Sequence, residues 1–80
     1  MRQLEDLLLF LARGLVDEPE KVEVSGRETD SRVDLTLKVA PEDMGRVIGR
    51  GGRIVKAIRT VLKAASVKAN KRVTVEVVNL

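Results

Sequence analysis

The residue types that this sequence lacks exclude several classes of protein. It has no cysteine and no histidine, which excludes disulfide bonds, thiolate zinc sites and the usual imidazole base or metal ligand. With 80 residues there is room for one domain with a small core, because a chain of this size buries only roughly 60% of its unfolded surface. We therefore expect a single intracellular domain over residues 1–80 that uses no metal or other cofactor.

A long hydrophobic run is also missing. Leu7 to Ala12 is a six-residue apolar run preceded by Glu5 and Asp6. A membrane span needs about 20 apolar residues, and a signal peptide has a positive flank and an apolar region of about 7 to 15 residues. Neither description fits, so we expect a cytoplasmic protein without a membrane partner.

Acidic residues are scarce in the second half of the chain. Residues 1–40 carry a net charge of −3, whereas residues 41–80 carry +6. From Met44 to Arg72 there are nine Lys or Arg residues and no Asp or Glu. A run of one sign favours a polyanionic partner, although a solvated helix face is the ordinary alternative.

The first segment reads as an apolar helix over residues 2–14, with Gly14 as a C-terminal stop. Its leucines recur at helical spacing: Leu4, Leu7, Leu8, Leu11 and Leu15. Leu9 and Phe10 fall outside this stripe, so the helix is apolar on more than one face. Two interpretations stay open: a well-buried packing helix, or a surface for self-association or a partner.

Three strands follow from alternation of apolar and polar residues. The first covers residues 21–28 after Pro19, and Thr29–Ser31 is a polar turn. The second has the clearest pattern, with one side made of Val33, Leu35, Leu37 and Val39 and the other of Arg32, Asp34, Thr36 and Lys38. The third carries Val73, Val75 and Val77. One face of the sheet is therefore expected to be buried.

Two helices are predicted between the second and third strands. Pro41, followed by Glu42 and Asp43, indicates a helix start with acids near the positive end of the dipole, and this short helix runs to about residue 48. A longer helix covers residues 53–68. Its expected core face is Ile54, Ile58, Val61, Leu62 and Ala65, and its exposed basic stripe is Arg53, Lys56, Arg59 and Lys63.

The order helix, two strands, two helices, strand predicts the topology. A short turn makes the first two strands antiparallel, and the two-helix crossover favours a parallel, right-handed connection to the third. We predict an α+β domain, with a mixed three-stranded sheet and three helices packed on one face.

The stretch from Val47 to Ile54 joins the two central helices with three glycines in four positions, Gly49, Gly51 and Gly52. Glycine permits sharp turns and close approach of another chain. Arg50 and Arg53 would meet phosphates, and we expect free backbone N–H groups at the start of the following helix to point into the same space.

Gly49-Arg50-Gly51-Gly52 fits Gly-x-x-Gly, a pattern that is weak alone. Its place between two helices of a strand-helix-helix-strand unit, residues 32–78, makes it specific. Here the chain resembles the KH domain, whose Gly-x-x-Gly loop clamps about four single-stranded nucleotides. Because the extra helix and strand precede this unit, the order is similar to the type II, bacterial variant.

The length of the chain and its motif, Val47–Arg53 followed by Lys56-Ala57-Ile58-Arg59, resemble the bacterial KH-domain protein A family. This resemblance implies a small cytoplasmic RNA-binding protein and RNA chaperone or post-transcriptional regulator. It also implies pairing with itself or with a larger KH-domain protein, in a complex linked to cell shape and peptidoglycan homeostasis.

The resemblance also implies the binding residues, which are Val47, Ile48, Gly49, Arg50, Gly51, Gly52, Arg53, Ile54 and Lys56. The loop residues would hold the sugar-phosphate backbone, and Val47, Ile48 and Ile54 would form an apolar floor for bases, with plain core packing as the alternative. Where relatives often have lysine and then a larger polar residue, this chain has Arg50 and Gly51. Arginine keeps the charge and adds a bidentate fork, whereas Gly51 removes a side-chain contact, so we expect a backbone clamp with low sequence specificity.

Other functional classes fit less well. Neither the Walker pattern nor the dinucleotide fingerprint can be written from these glycines, and no acid-base constellation is evident, so we do not expect an enzyme. A ribonucleoprotein-type sheet stacks bases on aromatic residues, but the single aromatic residue is Phe10, in the first helix. The remaining alternative is a protein-interaction module on a KH scaffold with weak or no RNA binding.

Overall fold

The computed structural model describes residues 2–67 and 70–80. Its helices and strands in chain order are α1 (Arg2–Arg13), β1 (Glu23–Glu28), β2 (Arg32–Val39), α2 (Met44–Ile48), α3 (Arg53–Ala65) and β3 (Arg72–Asn79). Short 3-10 turns precede β1, α2 and α3, at Pro19–Lys21, Pro41–Asp43 and Arg50–Gly52. The predicted order of elements is confirmed.

The three strands form one sheet in the order β1-β2-β3. β1 is antiparallel to β2, and β2 is parallel to β3. In the turn between β1 and β2, the Thr29 hydroxyl oxygen accepts the N–H groups of Ser31, at 3.4 Å, and Arg32, at 3.1 Å. Because parallel strands need a crossover connection, α2 and α3 lie between β2 and β3 in the chain, and all three helices cover one face of the sheet.

The core lies between that face and the helices. β2 supplies Val33, Leu35, Leu37 and Val39, each at most 1% exposed. α1 contributes Leu4, Leu8 and Ala12, and α3 contributes Val55, Ile58 and Leu62. Each fully buried leucine or valine contributes about 1.5–3 kcal/mol, so the period-2 pattern of β2 fixes which face is covered.

The core face of α3 differs from the prediction. Ile58 and Leu62 are buried as expected, but the third buried residue is Val55. Val61 is 43% exposed and Ala65 is exposed, so the prediction that both belong to the core was wrong. Ile58 and Leu62 pack in the core cluster with the strands, whereas Val61 lines a depression with Leu11 and Leu15.

α3 also ends earlier than expected, at Ala65 rather than residue 68. The Ser66 N–H donates to the carbonyls of Leu62, at 3.0 Å, and Lys63, at 3.1 Å. The Ser66 hydroxyl donates to the Lys63 carbonyl at 2.9 Å. These bonds satisfy the last carbonyls of the helix and end it; residue 68 itself lies outside the described residues.

Asp43 has a role that its position at a helix start does not suggest. Its side chain is 1% exposed and makes no capping bond to its own helix. Instead its oxygens accept the backbone N–H groups of Asp17, at 3.1 Å, and Glu18, at 3.2 Å. Asp43 thus ties the connection after α1 to the start of α2, the helix that leads into the glycine loop.

The other face of the sheet is polar and carries its own contacts. Asp34 accepts hydrogen bonds from the Thr74 hydroxyl at 2.7 Å and from Arg32 Nη2 at 3.0 Å. The Thr74 hydrogen bond is the largest cause that holds the pKa of Asp34 below its usual value; burial opposes it, and the hydrogen bond from Arg32 adds to the lowering. The alternation read from β2 therefore describes both faces correctly.

Candidate nucleic-acid interface

The glycine loop requires glycine at three positions because of its backbone. Gly49, Gly51 and Gly52 have φ angles of 77°, 66° and 78°, which side chains rarely adopt. At Gly49 there is also no room: an added Cβ would lie 2.6 Å from Ile54 Cγ1 and 2.9 Å from the Ile54 nitrogen. At Gly51 nothing lies within 4 Å of an added Cβ, so the outer side of the loop is open to another molecule.

Backbone hydrogen bonds hold this loop in shape. The Gly49 N–H donates to the Gly45 carbonyl at 2.9 Å, and the Gly52 N–H donates to the Gly49 carbonyl at 3.1 Å. The Arg53 N–H, the first of α3, donates to the Arg50 carbonyl. The expectation that the first N–H groups of α3 are free is therefore wrong for Arg53.

Among the described residues, the cationic side chains of the loop and α3 have no carboxylate partner. Within residues 2–67 and 70–80, Arg50, Arg53, Lys56 and Lys63 form no ion pair or hydrogen bond through their side chains, and all four are exposed. By contrast, Arg46 pairs with Asp17 at 3.0 Å. The absence of acids between Met44 and Arg72 in the sequence thus gives an uncompensated positive row along the loop and one side of α3.

Arg59 belongs to the same row but makes a contact across the fold. Its Nε and Nη2 atoms donate to the Val75 carbonyl of β3, at 3.3 Å and 2.9 Å. β3 is an edge strand of the sheet. The cationic side of α3 therefore runs beside the outer edge of β3, and Lys63 lines a depression with Arg72 and Val73 of that strand.

The three apolar residues expected to form a floor for bases differ in exposure. Val47 is 0% exposed and belongs to the core, so it has no surface for a base. Ile48 and Ile54 are half-buried. Ile54 packs against Gly49, which fixes the loop to the first turn of α3.

A second surface lies on the opposite side of α3, against α1. Two adjoining depressions share Leu11 and Leu15 as lining residues. We call the surface around them the α1–α3 surface, made of Phe10, Leu11, Leu15, Ile54, Ala57 and Val61. Phe10 is 75% exposed and Val61 is 43% exposed, and Arg53 lies at the rim. The interpretation of α1 as solely a packing helix is therefore incomplete.

In the described part of the chain no helix has the length and hydropathy of a membrane span. The same residues hold no cluster of three or more acidic side chains that could coordinate a metal ion.

Sequence reasoning missed the contacts of two residues that shape this region and the burial of a third. Asp43 was assigned to the helix dipole, although it holds a segment 25 and 26 residues away. Arg59 was read as one of four solvated cations, although it reaches the backbone of β3. Local spacing carries no signal for either contact, because both partners are backbone atoms brought close only by the fold. The burial of Val55 was missed too, because the adjacent residue Ile54 was assigned to the core face in its place.

The mixed sheet, the helices on one face and the glycine loop between α2 and α3 together define a KH domain of type II. A family model described as the KH domain of KhpA/KhpB matches residues 5–77. The chain therefore belongs to the KhpA/KhpB family of KH domains.

Individual relatives agree with this assignment over nearly their full length. The RNA-binding protein KhpA of Clostridium acetobutylicum is 57% identical over 75 residues, which cover 94% of this chain and 100% of the relative. KhpA of Bacillus subtilis is 43% identical over 76 residues, which cover 95% of this chain and 94% of the relative. The likeness thus extends well beyond the glycine loop.

A solved structure shares the fold. It is the crystal structure of Era in complex with MgGDPNP and nucleotides 1506–1542 of 16S ribosomal RNA, with a TM-score of 0.68 and 17% sequence identity. The match covers 95% of this chain and 29% of that chain. At this identity the likeness shows the fold alone.

Proposed function

We propose that this chain binds single-stranded RNA by clamping the sugar-phosphate backbone in the glycine loop, with low sequence specificity. The observation that carries the proposal is the uncompensated row of Arg50, Arg53, Lys56 and Lys63 beside a loop whose outer side is open. Phosphates supply most of the binding free energy at such a surface, and they are the same in every sequence. Relatives carrying the name RNA-binding protein support the assignment.

The proposed binding residues are Val47, Ile48, Gly49, Arg50, Gly51, Gly52, Arg53, Ile54 and Lys56. Val47 would act from the core, by holding the end of α2 against the sheet. Ile48 and Ile54 retain enough exposed surface for contact with a base. The loop glycines let a strand approach the backbone closely, as in KH domains that hold about four nucleotides.

Salt-dependent binding of a short fluorescent RNA tests the proposal. We expect Arg50→Gln with Arg53→Gln to lower the affinity at least tenfold. Removing two phosphate contacts should also reduce the slope of log affinity against log salt by about 1.4, because each phosphate contact with a single strand contributes about 0.7. Fluorescence anisotropy between low and physiological salt gives both quantities.

The matched control removes the same charge from the opposite face of the sheet. Arg27 and Lys38 are exposed on β1 and β2 and pair across the strands with Asp34 and Glu23, away from the loop. Arg27→Gln with Lys38→Gln should leave the slope nearly unchanged. Equal losses of affinity in the two double variants would mean that RNA binding depends only on the net charge of the protein. If the parent protein did not bind RNA at all, the protein-interaction module would describe the chain better.

We also propose that the chain pairs through the α1–α3 surface with a second copy or with a larger KH-domain protein. The exposed Phe10 and Val61 support this, because an exposed apolar patch marks a site of interaction with a partner. Both lie on the side of α3 that faces away from the cationic row. A dimer formed there would leave the outer side of the loop accessible, with Arg53 at its border.

Light scattering at high micromolar concentration measures this association. Val61→Asp should shift the protein to a monomer, because association would bury an unpaired carboxylate. Val67→Asp is the matched control: Val67 is 73% exposed but lies beyond the end of α3, outside the α1–α3 surface. A parent protein that is strictly monomeric, or equal effects of the two variants, would contradict the proposal.

The family resemblance alone supports the cellular part of the proposal. We assign the chain as a single KH domain over residues 1–80, with the family match at 5–77 in support. Its role would be that of a cytoplasmic RNA chaperone or post-transcriptional regulator linked to cell shape and peptidoglycan homeostasis. A pull-down with and without RNase would separate RNA-mediated partners from direct ones.

A further inference from the structure

Arg59 is held in a position that its neighbours in the cationic row do not share. Its Nε and Nη2 donate to the Val75 carbonyl, while the side chain as a whole stays exposed. Arginine has five N–H donors in a planar fork. The contact with Val75 occupies the Nε–H and one Nη2–H. The other end of the guanidinium, formed by Nη1 and the second Nη2 hydrogen, still offers two parallel donors.

The register of the sheet explains why Val75 is available to Arg59. The N–H groups of Arg72 and Leu80 point towards β2: they donate to the carbonyls of Ser31, the residue before the strand, and of Val39, its last residue. The backbone groups of successive residues in a strand point alternately to its two neighbours, so those of Val73, Val75 and Val77 point to the outer edge, where the Val75 carbonyl meets Arg59. Arg59 is therefore anchored on the backbone of an edge strand, not on a mobile side chain.

The position of Arg59 also places it within reach of RNA bound at the loop. Arg53 and Arg59 are six residues apart on α3, which corresponds to about 9 Å along the helix. That distance is within the length of the four nucleotides that a KH loop holds. A strand clamped at Arg50 and continuing along the cationic side of α3 would bring a base beside Arg59.

We propose that the Arg59 fork selects a nucleobase with two neighbouring acceptors, which means cytosine or guanine. Cytosine offers O2 and N3, and guanine offers O6 and N7, the pair to which arginine commonly donates. Uracil places an N–H between its two carbonyls, and adenine places an amino group beside N7, so neither accepts both donors. This inference rests on the proposed RNA binding and adds a preference at one position to an otherwise unselective clamp.

Anchoring makes Arg59 more selective than a freely rotating arginine. The bond to Val75 fixes the plane and direction of the guanidinium before RNA arrives, so less side-chain entropy is lost on binding. Lysine at this position would keep the charge but has no fork. One substitution, Arg59→Lys, can therefore separate the effect of charge on affinity from the selection of a base.

The experiment compares eight-nucleotide RNAs of uridine alone with the same RNA carrying one central cytidine, guanosine or adenosine. Fluorescence anisotropy at fixed salt should show about five- to tenfold tighter binding of the cytidine or guanosine RNA, with adenosine equal to uridine. Arg59→Lys keeps the charge but not the fork, so it should bind all four RNAs with the same affinity. 3-Deazacytidine and 7-deazaguanosine, each lacking one acceptor, identify which base is read.

Circular dichroism and urea unfolding of Arg59→Lys separate binding from a purely structural role. A variant that is less stable but keeps the base preference would overturn the proposal, as would a parent protein that binds all four RNAs equally. Equal binding leaves the proposed backbone clamp intact, whereas no binding to any RNA overturns the clamp and base selection together.

Discussion

Gly49→Ala should damage this domain more than any other single methyl addition in the glycine loop. Gly49 has φ 77° and ψ 171°, a region of backbone conformation that is essentially restricted to glycine. The new Cβ would also lie 2.9 Å from the backbone nitrogen of Ile54 and 2.6 Å from its Cγ1 atom. A side chain could rotate away, but the nitrogen belongs to the first turn of α3 and cannot move without the helix.

The expected loss follows from these two effects. Backbone strain of this kind costs of order 1–3 kcal/mol, and forcing atoms into a packed site costs about 1–3 kcal/mol more. A total of about 3 kcal/mol or more is a large part of the roughly 5–15 kcal/mol that stabilises a small domain. Since about 1 kcal/mol shifts the melting temperature by roughly 4–8 °C at this size, we expect a fall of about 12 °C or more.

Two other glycines serve as matched controls for the same change. At Gly51, with φ 66° and open space around it, alanine should cost only the left-handed backbone penalty of roughly 1–2 kcal/mol. At Gly45, inside α2 with nothing within 4 Å, alanine should stabilise by up to about 1 kcal/mol because of its helix propensity.

Thermal and urea unfolding followed by circular dichroism would rank the three variants. We expect the order of stability to be Gly45→Ala, parent, Gly51→Ala, Gly49→Ala. If Gly49→Ala were no less stable than Gly51→Ala, the steric conflict with Ile54 would have no energetic effect, and the reasoning from loop geometry would fail.

The remaining predictions concern the carboxylates of Asp43 and Asp34. Asp43→Ala should destabilise the domain by about 2–4 kcal/mol in urea unfolding, because it leaves two backbone N–H groups without an acceptor. Asp43→Asn keeps one oxygen and should lower the free energy of unfolding by about half as much. Equal losses in the two variants would contradict this account. Thr74→Val should raise the pKa of Asp34 towards its usual value, measured by NMR titration, because the Thr74 hydrogen bond is the largest cause of the lowered pKa. Since that pKa is lowered in the folded state, the contribution of Asp34 to stability is present above its unfolded pKa and is lost as pH falls through its folded pKa. Thr74→Val should therefore weaken this dependence of stability on acid. An unchanged titration of Asp34 would rule out the hydrogen bond as the cause of the lowered pKa.

Local patterns sufficed for most of the architecture. The alternation in β2 specified a buried and a polar face, and the short turn and the long crossover specified antiparallel and parallel neighbours. The glycine loop and the cationic row were also visible, because each depends on residues close together in sequence. Helix periodicity was less reliable at α3, where Val55 and Val61 are both apolar but only Val55 is buried in the fold.

The sequence by itself thus determined the order of elements, the KH fold and a positively charged loop with three glycines. Only the tertiary structure decided that Val47 is buried, that Asp43 holds a distant segment, that Phe10 and Val61 share an exposed surface, and that Arg59 is anchored on β3. The physical reason is range: periodicity and turn chemistry act over a few residues, whereas burial and backbone contacts depend on which elements the fold brings together.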